Sequence, residues 1–145
     1  MAFLDSSVLL ASLDPDEPEH AACDKLVAAG HHHIYSHALS EVFSTLTGGR
    51  LGRRLTPAVA AGLIKESLLP FVTVQALTGK DLMLALQDCE RRGVRGGAVY
   101  DWMHLAAARK AGAEVFFTLN MRDFQALARP GDPAVRVPTP ARVSR

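Results

Sequence analysis

Cysteine is nearly absent from this sequence: Cys23 and Cys89 stand far apart, and neither has a CxxC or Cys/His ligand spacing. That excludes a disulfide framework and a structural zinc site, and it fits a reducing cytoplasm in which both thiols are small core residues. Charge of one sign is missing too. A formal net charge of +1 excludes the strong global field of a non-specific nucleic-acid binder, leaving any such partner to local basic patches. No apolar run approaches the roughly 18 residues of a membrane span. Met1 leads directly into Ala2-Phe3-Leu4 without a basic leader, so a cytoplasmic protein with no membrane partner is expected. Internal repeats are also lacking.

What is present is apolar periodicity. With 48% hydrophobic residues in a 145-residue chain, one domain over residues 1–137 suffices to bury about two-thirds of the unfolded surface. Residues 138–145, rich in Pro and Arg, are expected to form a flexible C-terminal tail. Strands are expected at 2–4, 34–35, 71–74, 115–119 and 135–137. Between them lie helices marked by caps and apolar stripes. Ser6 or Ser7 caps the first, over Val8, Leu9, Leu10 and Leu13. A second covers 19–29, with Gly30 as its stop. Ser36 opens one with Leu39, Val42, Phe43 and Leu46 on one side. Thr56-Pro57 opens another, with Val59, Ala60, Leu63, Ile64 and Leu68 on one side. Thr78 and Asp81 have capping-box spacing. An apolar helix over 99–108 carries Asp101 in its first turn, and a short helix covers 124–128.

Strands alternating with such helices specify an α/β fold: a mostly parallel central sheet of about five strands with helices on both sides. In that architecture a strand's carboxyl end and the start of the next helix share one edge, beyond which the ligand crevice lies. Asp5 ends the first strand, and Glu41 lies in the first turn after the second. Two residues past Leu39 is a rotation of about 200°, so Glu41 points away from the core. Asp101 opens a helix, and Asp123 follows the strand at 115–119. All four fall on the same edge. Close carboxylates repel unless cations or protons compensate, and hard oxygen ligands without His or Cys select Mg²⁺ or Mn²⁺ over zinc. Such a site polarises a phosphodiester and lowers the pKa of bound water. Metal-dependent phosphodiester hydrolysis is the leading reaction class.

Four segments carry a family resemblance: Asp5-Ser6-Ser7-Val8-Leu9-Leu10, Ser36-His37-Ala38-Leu39-Ser40-Glu41-Val42, Tyr100-Asp101-Trp102-Met103-His104-Leu105-Ala106-Ala107-Ala108, and Phe117-Thr118-Leu119-Asn120-Met121-Arg122-Asp123-Phe124. In this order and spacing the chain resembles the PIN-domain ribonucleases, particularly the VapC toxins of bacterial toxin–antitoxin pairs. The resemblance implies a PIN-like fold, an acidic pocket for Mg²⁺ or Mn²⁺, endonucleolytic cleavage of RNA, and a cognate antitoxin as partner. It implies catalytic, metal-holding roles for Asp5, Glu41 and Asp101, with Ser7 supporting the first. Many members carry Asp where this chain has Asn120, so the fourth acid is expected at Asp123, with Asn120 as a phosphate or water contact. Asp123 as an N-cap of the last short helix is the competing reading.

Arg50, Arg53 and Arg54 form the densest basic cluster and are candidates for gripping RNA phosphates, with a solvated loop as the alternative. His31, His32 and His33 are expected on the surface, because adjacent strand residues point to opposite faces and cannot share a ligand. His104 is expected to be structural or interfacial, and Trp102 to lie in the core. An Ala-rich apolar surface suits a homodimer. The rival functions are a housekeeping RNA-processing nuclease without an antitoxin, an aspartyl-phosphate phosphohydrolase, and a non-catalytic binding module. The phosphohydrolase is disfavoured because no second Asp follows Asp5 at two residues' distance.

Overall fold

Ala2, Phe3 and Leu4 form β1 (Ala2–Leu4), and all three are buried. A strand without polar alternation needs cover on both faces, as at the centre of a parallel sheet. The computed structural model, which describes residues 1–49 and 54–139, places it there. With β2 (His32–Tyr35), β3 (Val72–Gln75), β4 (Val115–Phe117) and β5 (Ala134–Arg136) it forms a five-stranded sheet of order β3-β2-β1-β4-β5. Every pairing is parallel, with Leu4 opposite Ile34 on one side and Phe117 on the other. The chain builds outward from β1 to β3 and then crosses back to the far side of β1. The strand order therefore reverses between β1 and β4, where such sheets open a crevice beyond their carboxyl ends.

Each face has its own core. Leu4 points into one, with α1 (Ser6–Leu13), α2 (His20–Ala28), α3 (Ser36–Gly48) and α4 (Pro57–Ser67) contributing Val8, Leu9, Val27, Val42 and Ile64. Phe3 points into the other, where α5 (Gly79–Gln87), α6 (Cys89–Arg92), α7 (Ala98–Lys110) and α8 (Met121–Leu127) cover the sheet. Phe116 lies between Phe3 and Phe124, with ring centroids 6.0 and 4.6 Å away. Gly112, at φ 72°, takes the left-handed conformation that ends α7 and turns the chain into β4. Cys23 is fully buried, and burial, with Glu19 and Glu17 nearby, pushes its thiol up to about 11. Cys89 is half-buried, consistent with two structural thiols. Among the described residues no helix is long and apolar enough to cross a membrane.

Several local expectations are corrected. Asp5, not Ser6 or Ser7, occupies the N-cap position of α1, and its side chain makes no cap bond. Tyr35 precedes α3 in the same way, so Ser36 is its first residue. Val59 is 55% exposed while Ala60, Ile64 and Leu68 are buried, so α4 packs through a narrower stripe than its apolar pattern. The histidine run does alternate across the sheet, but His32 is buried, its Nδ1 accepting the Ala2 N–H at 3.2 Å. Burial, with His31, the N-terminal amine and His33, holds its pKa below the usual value. β4 stops at Phe117 and α8 begins at Met121, both earlier than the apolar pattern indicates. Pro138 is buried.

A charged network closes the α7 side. Trp102 is 2% exposed, donates Nε1–H to the Ala85 carbonyl at 2.9 Å and carries the Arg92 guanidinium 4.0 Å from its ring centroid. Arg92 makes a two-pronged pair with Asp132, at 2.7 and 3.0 Å, and a third bond to Asp88 at 2.8 Å. Asp132, its side chain fully buried, also accepts from Arg109 and from the Arg129 N–H. Burial pushes the Asp132 carboxyl up, but Arg92, the Arg129 N–H and Arg109 outweigh it and hold its pKa below the ordinary range. A carboxyl whose pKa is lower folded than unfolded stabilises above the unfolded value, about 3.9. That contribution is lost as pH falls through the folded pKa. Asp132→Asn is therefore expected to lower stability by about 3 kcal/mol at neutral pH. Urea denaturation should show the gap to wild type narrowing as the medium is acidified below about pH 4.

Candidate active site

The site begins where β1 meets β4. The Asp5 N–H donates to the Phe117 carbonyl at 3.0 Å, pinning this residue at the reversal of strand order. Two hydroxyls then converge on one carboxylate oxygen. Ser7 Oγ donates to Asp5 Oδ2 at 2.8 Å and accepts the Leu119 N–H at 3.0 Å. Thr118 Oγ1 donates to the same oxygen at 2.9 Å and accepts the Asn120 N–H at 2.9 Å. Backbone donors after β4 thus reach Asp5 through two hydroxyl relays. Oδ1 receives only a long 3.4 Å contact from Ser6 Oγ among the described hydrogen bonds, which leaves it available to a ligand.

Glu41 arrives from the second turn of α3, directly after β2. Its side chain is 34% exposed, and one oxygen bonds His104 Nε2. Burial pushes its carboxyl up, yet the His104 bond and charge, the His37 charge and the Ser6 hydroxyl outweigh it and hold its pKa below the usual value. His104 itself is 1% exposed. Burial alone pushes its pKa down, but the Glu41 bond and the charges of Asp5, Glu41 and Asp101 hold it above the ordinary value. Asp101 and His104 are three residues apart on α7 and so share a face.

Asp101 has no such relief. Burial and then the Asp5 charge push its carboxyl up to about 6, with Asp123 and Glu41 adding to the effect and His104 opposing it. Asp101 and Asp123 line one cleft of about 540 Å³ with Gly93, Gly97 and Arg129. Asp123 lies in the first turn of α8, not at its N-cap; Asn120 holds that position and donates its side-chain amide to Asp123 Oδ2 at 2.9 Å. Asn120 therefore orients the fourth acid.

The fold brings Asp5, Glu41, Asp101 and Asp123 to one edge, with Ser7 and Asn120 supporting two of them. Arg54 is exposed beside Gly49, at the opposite end of α3 from Glu41; Arg50 and Arg53 lie outside the described residues. Thr118, which the sequence pattern does not single out, makes as direct a bond to Asp5 as Ser7 does. The signal for it is positional: a hydroxyl directly after the strand that flanks β1.

Oxygen donors dominate this edge, and among the described residues no three His, Cys, Asp or Glu side chains already close around a point as a finished cage. That donor set fits a small hard cation, which takes one or two carboxylates and keeps several waters. Asp5 through Oδ1, Asp101, Glu41 and Asp123 are the groups in position to hold one.

The sequence profile of the PIN domain matches residues 2–130. The chain belongs to the PIN domain family. Within it, Ribonuclease VapC27 of Mycobacterium tuberculosis is 32% identical over 112 residues, covering 77% of this chain and 80% of that protein. The fold is shared with the Mycobacterium tuberculosis VapC20 structure, described as a sarcin-ricin loop cleaving toxin. There the TM-score is 0.67 at 22% identity, over 92% of this chain and all 100% of that one. A DNA-bound VapBC from Salmonella typhimurium superposes with a TM-score of 0.66 at 19% identity, over 94% of this chain and 96% of that chain. In this PIN domain the acids sit at the reversal of strand order between β1 and β4, where the sheet topology places a crevice.

Asp101 supplies a test that needs no substrate. A carboxyl whose pKa is raised by folding binds its proton more tightly in the native state, so the contribution is favourable at low pH and lost as pH rises from about 4 to 6. In metal-free protein at pH 7, Asp101→Asn is expected to raise stability by about 1 kcal/mol after discounting for solvent screening. The gain should fade by about pH 4, as followed by thermal melts across that range.

Proposed function

We propose that this protein is a Mg²⁺- or Mn²⁺-dependent endoribonuclease, the toxin of a toxin–antitoxin pair, acting in the cytoplasm on RNA. The observation that carries the reading is the half-buried Asp101, whose carboxyl is pushed up to about 6 by burial and the Asp5 charge, with Asp123 and Glu41 adding like charge, despite the opposing His104. A divalent cation is the economical compensation for that arrangement. Its kinship with a protein named ribonuclease VapC27 supports RNA as the substrate class, and likeness to VapBC assemblies supports an antitoxin partner.

When bound, the cation would polarise the phosphodiester and neutralise charge that develops on its oxygens. The chain's own residues do the rest. Asp5 and Asp101 present carboxylates from a strand end and a helix start, while Ser7 and Thr118 keep Asp5 Oδ2 occupied and leave Oδ1 unclaimed. His104 holds Glu41, and Asn120 holds Asp123 at the rim of the cleft. Arg129, whose guanidinium is tied to the carbonyls of Ala126, Ala128 and Arg92, brings fixed positive charge to the same cleft for the RNA backbone. Arg50, Arg53 and Arg54 are the candidates for gripping the phosphates of the RNA strand. The nuclease unit spans residues 1–137, with 138–145 as its tail.

Purified protein is expected to cut RNA with Mg²⁺ or Mn²⁺ and to stop on addition of EDTA. Asp5→Asn and Asp101→Asn should each lower cleavage by at least about a hundredfold while circular dichroism remains that of the wild type. Variants that cleave at the wild-type rate would show that these carboxylates do not hold the metal.

A further inference from the structure

His104 has an environment unlike that of an ordinary core histidine. One that is merely structural satisfies its ring nitrogens with nearby backbone carbonyls or water. Here Nε2 bonds the half-buried carboxylate of Glu41. Nδ1 is fully buried, makes no hydrogen bond among the described residues, and lies 4.0 Å from Asp5 Oδ1. That is the oxygen which Ser7 and Thr118 leave unclaimed. The ring is fixed edge-on to Tyr35, with centroids 5.3 Å apart and an 83° interplanar angle. The imidazole therefore spans two of the acids from the same helical face that carries the third, Asp101.

Glu41 needs such a tether more than the aspartates do. It has an extra rotatable bond and an exposed flank, so a free carboxylate there would lose side-chain entropy on meeting a ligand. Asp5 is already held by its hydroxyl relays and Asp123 by Asn120.

We propose that His104 is a positioning residue of the cation site: its Nε2 fixes the Glu41 carboxylate at a set reach from Asp5 and Asp101, so the cation meets oxygens already in place. This rests on the reading of the acidic edge as a divalent-cation site, and the experiment separates the two. Mn²⁺ binding to the purified full chain, followed by calorimetry or electron paramagnetic resonance, is compared for wild type, His104→Phe and His104→Gln. Phe keeps a ring but removes the donor, whereas Gln keeps an N–H near the place of Nε2. His104→Phe is expected to bind Mn²⁺ about 10- to 100-fold more weakly and to lose kcat on RNA with little change in KM, while His104→Gln recovers most of both.

Wild-type affinity in folded His104→Phe overturns the proposal. So does an equal loss in both variants, which would show that an N–H at the place of Nε2 is not what holds the site. Wild type that binds no Mn²⁺ removes the cation-site reading itself, and this one with it. Should His104→Phe fail to fold, ¹⁵N-histidine spectra of the wild type decide the matter: the His104 ring signals should move with added Mg²⁺, and unmoved signals overturn the assignment.

Discussion

Everything at the acidic edge depends on how one carboxylate oxygen is held. Asp5 Oδ2 accepts from two hydroxyls, each receiving a backbone N–H from the segment after β4. An ionised acceptor bonded this way is held more strongly than by neutral contacts alone. Its two oxygens also become inequivalent. One is taken by the scaffold, and the other receives only the long Ser6 contact among the described hydrogen bonds. Because the relays run across the β1–β4 junction, the register of the sheet and the orientation of the carboxylate are fixed by the same few bonds.

The four acids do not share their burden evenly. Glu41 is relieved by an imidazole, and burial near Asp5 leaves Asp101 disfavoured as an anion. Concentrating the electrostatic cost at one residue is what a site prepared for a cation requires, since complete internal pairing would leave nothing for the cation to compensate. The Arg92–Asp132 network on the same side of the sheet is the opposite case. Its charges are matched by bidentate and hydrogen-bonded partners, and it holds α6, α7 and the turn before β5 together.

Much of this architecture was legible in the sequence because it rests on local rules. Apolar runs marked the strands, Thr56-Pro57 and the Thr78–Asp81 box marked helix starts, and both kinds of signal survived folding. The rule that strand ends and helix starts share an edge was enough to group Asp5, Glu41, Asp101 and Asp123. What local pattern could not supply was partnership across long separations. Thr118 reaches Asp5 and His104 reaches Glu41 only once β4 lies beside β1 and α7 beside β2. His32 was misplaced for the same reason, since its acceptor role toward Ala2 exists only in the paired sheet. Val59 shows the converse, an apolar residue on the expected stripe that stays 55% exposed.

The wide separation in sequence of β1 and β4 has a bearing on synthesis. Asp5 and Thr118 are 113 positions apart, so the carboxylate made first waits for one of its hydroxyl partners until most of the chain exists. Contacts of such range close late, after the loop between them has been ordered. A nascent chain halted before β4 carries Asp5 and Glu41 but neither the Thr118 hydroxyl nor the strand that seats it. For a ribosome making an enzyme that destroys RNA, the cutting edge is assembled only when translation of that chain is nearly done.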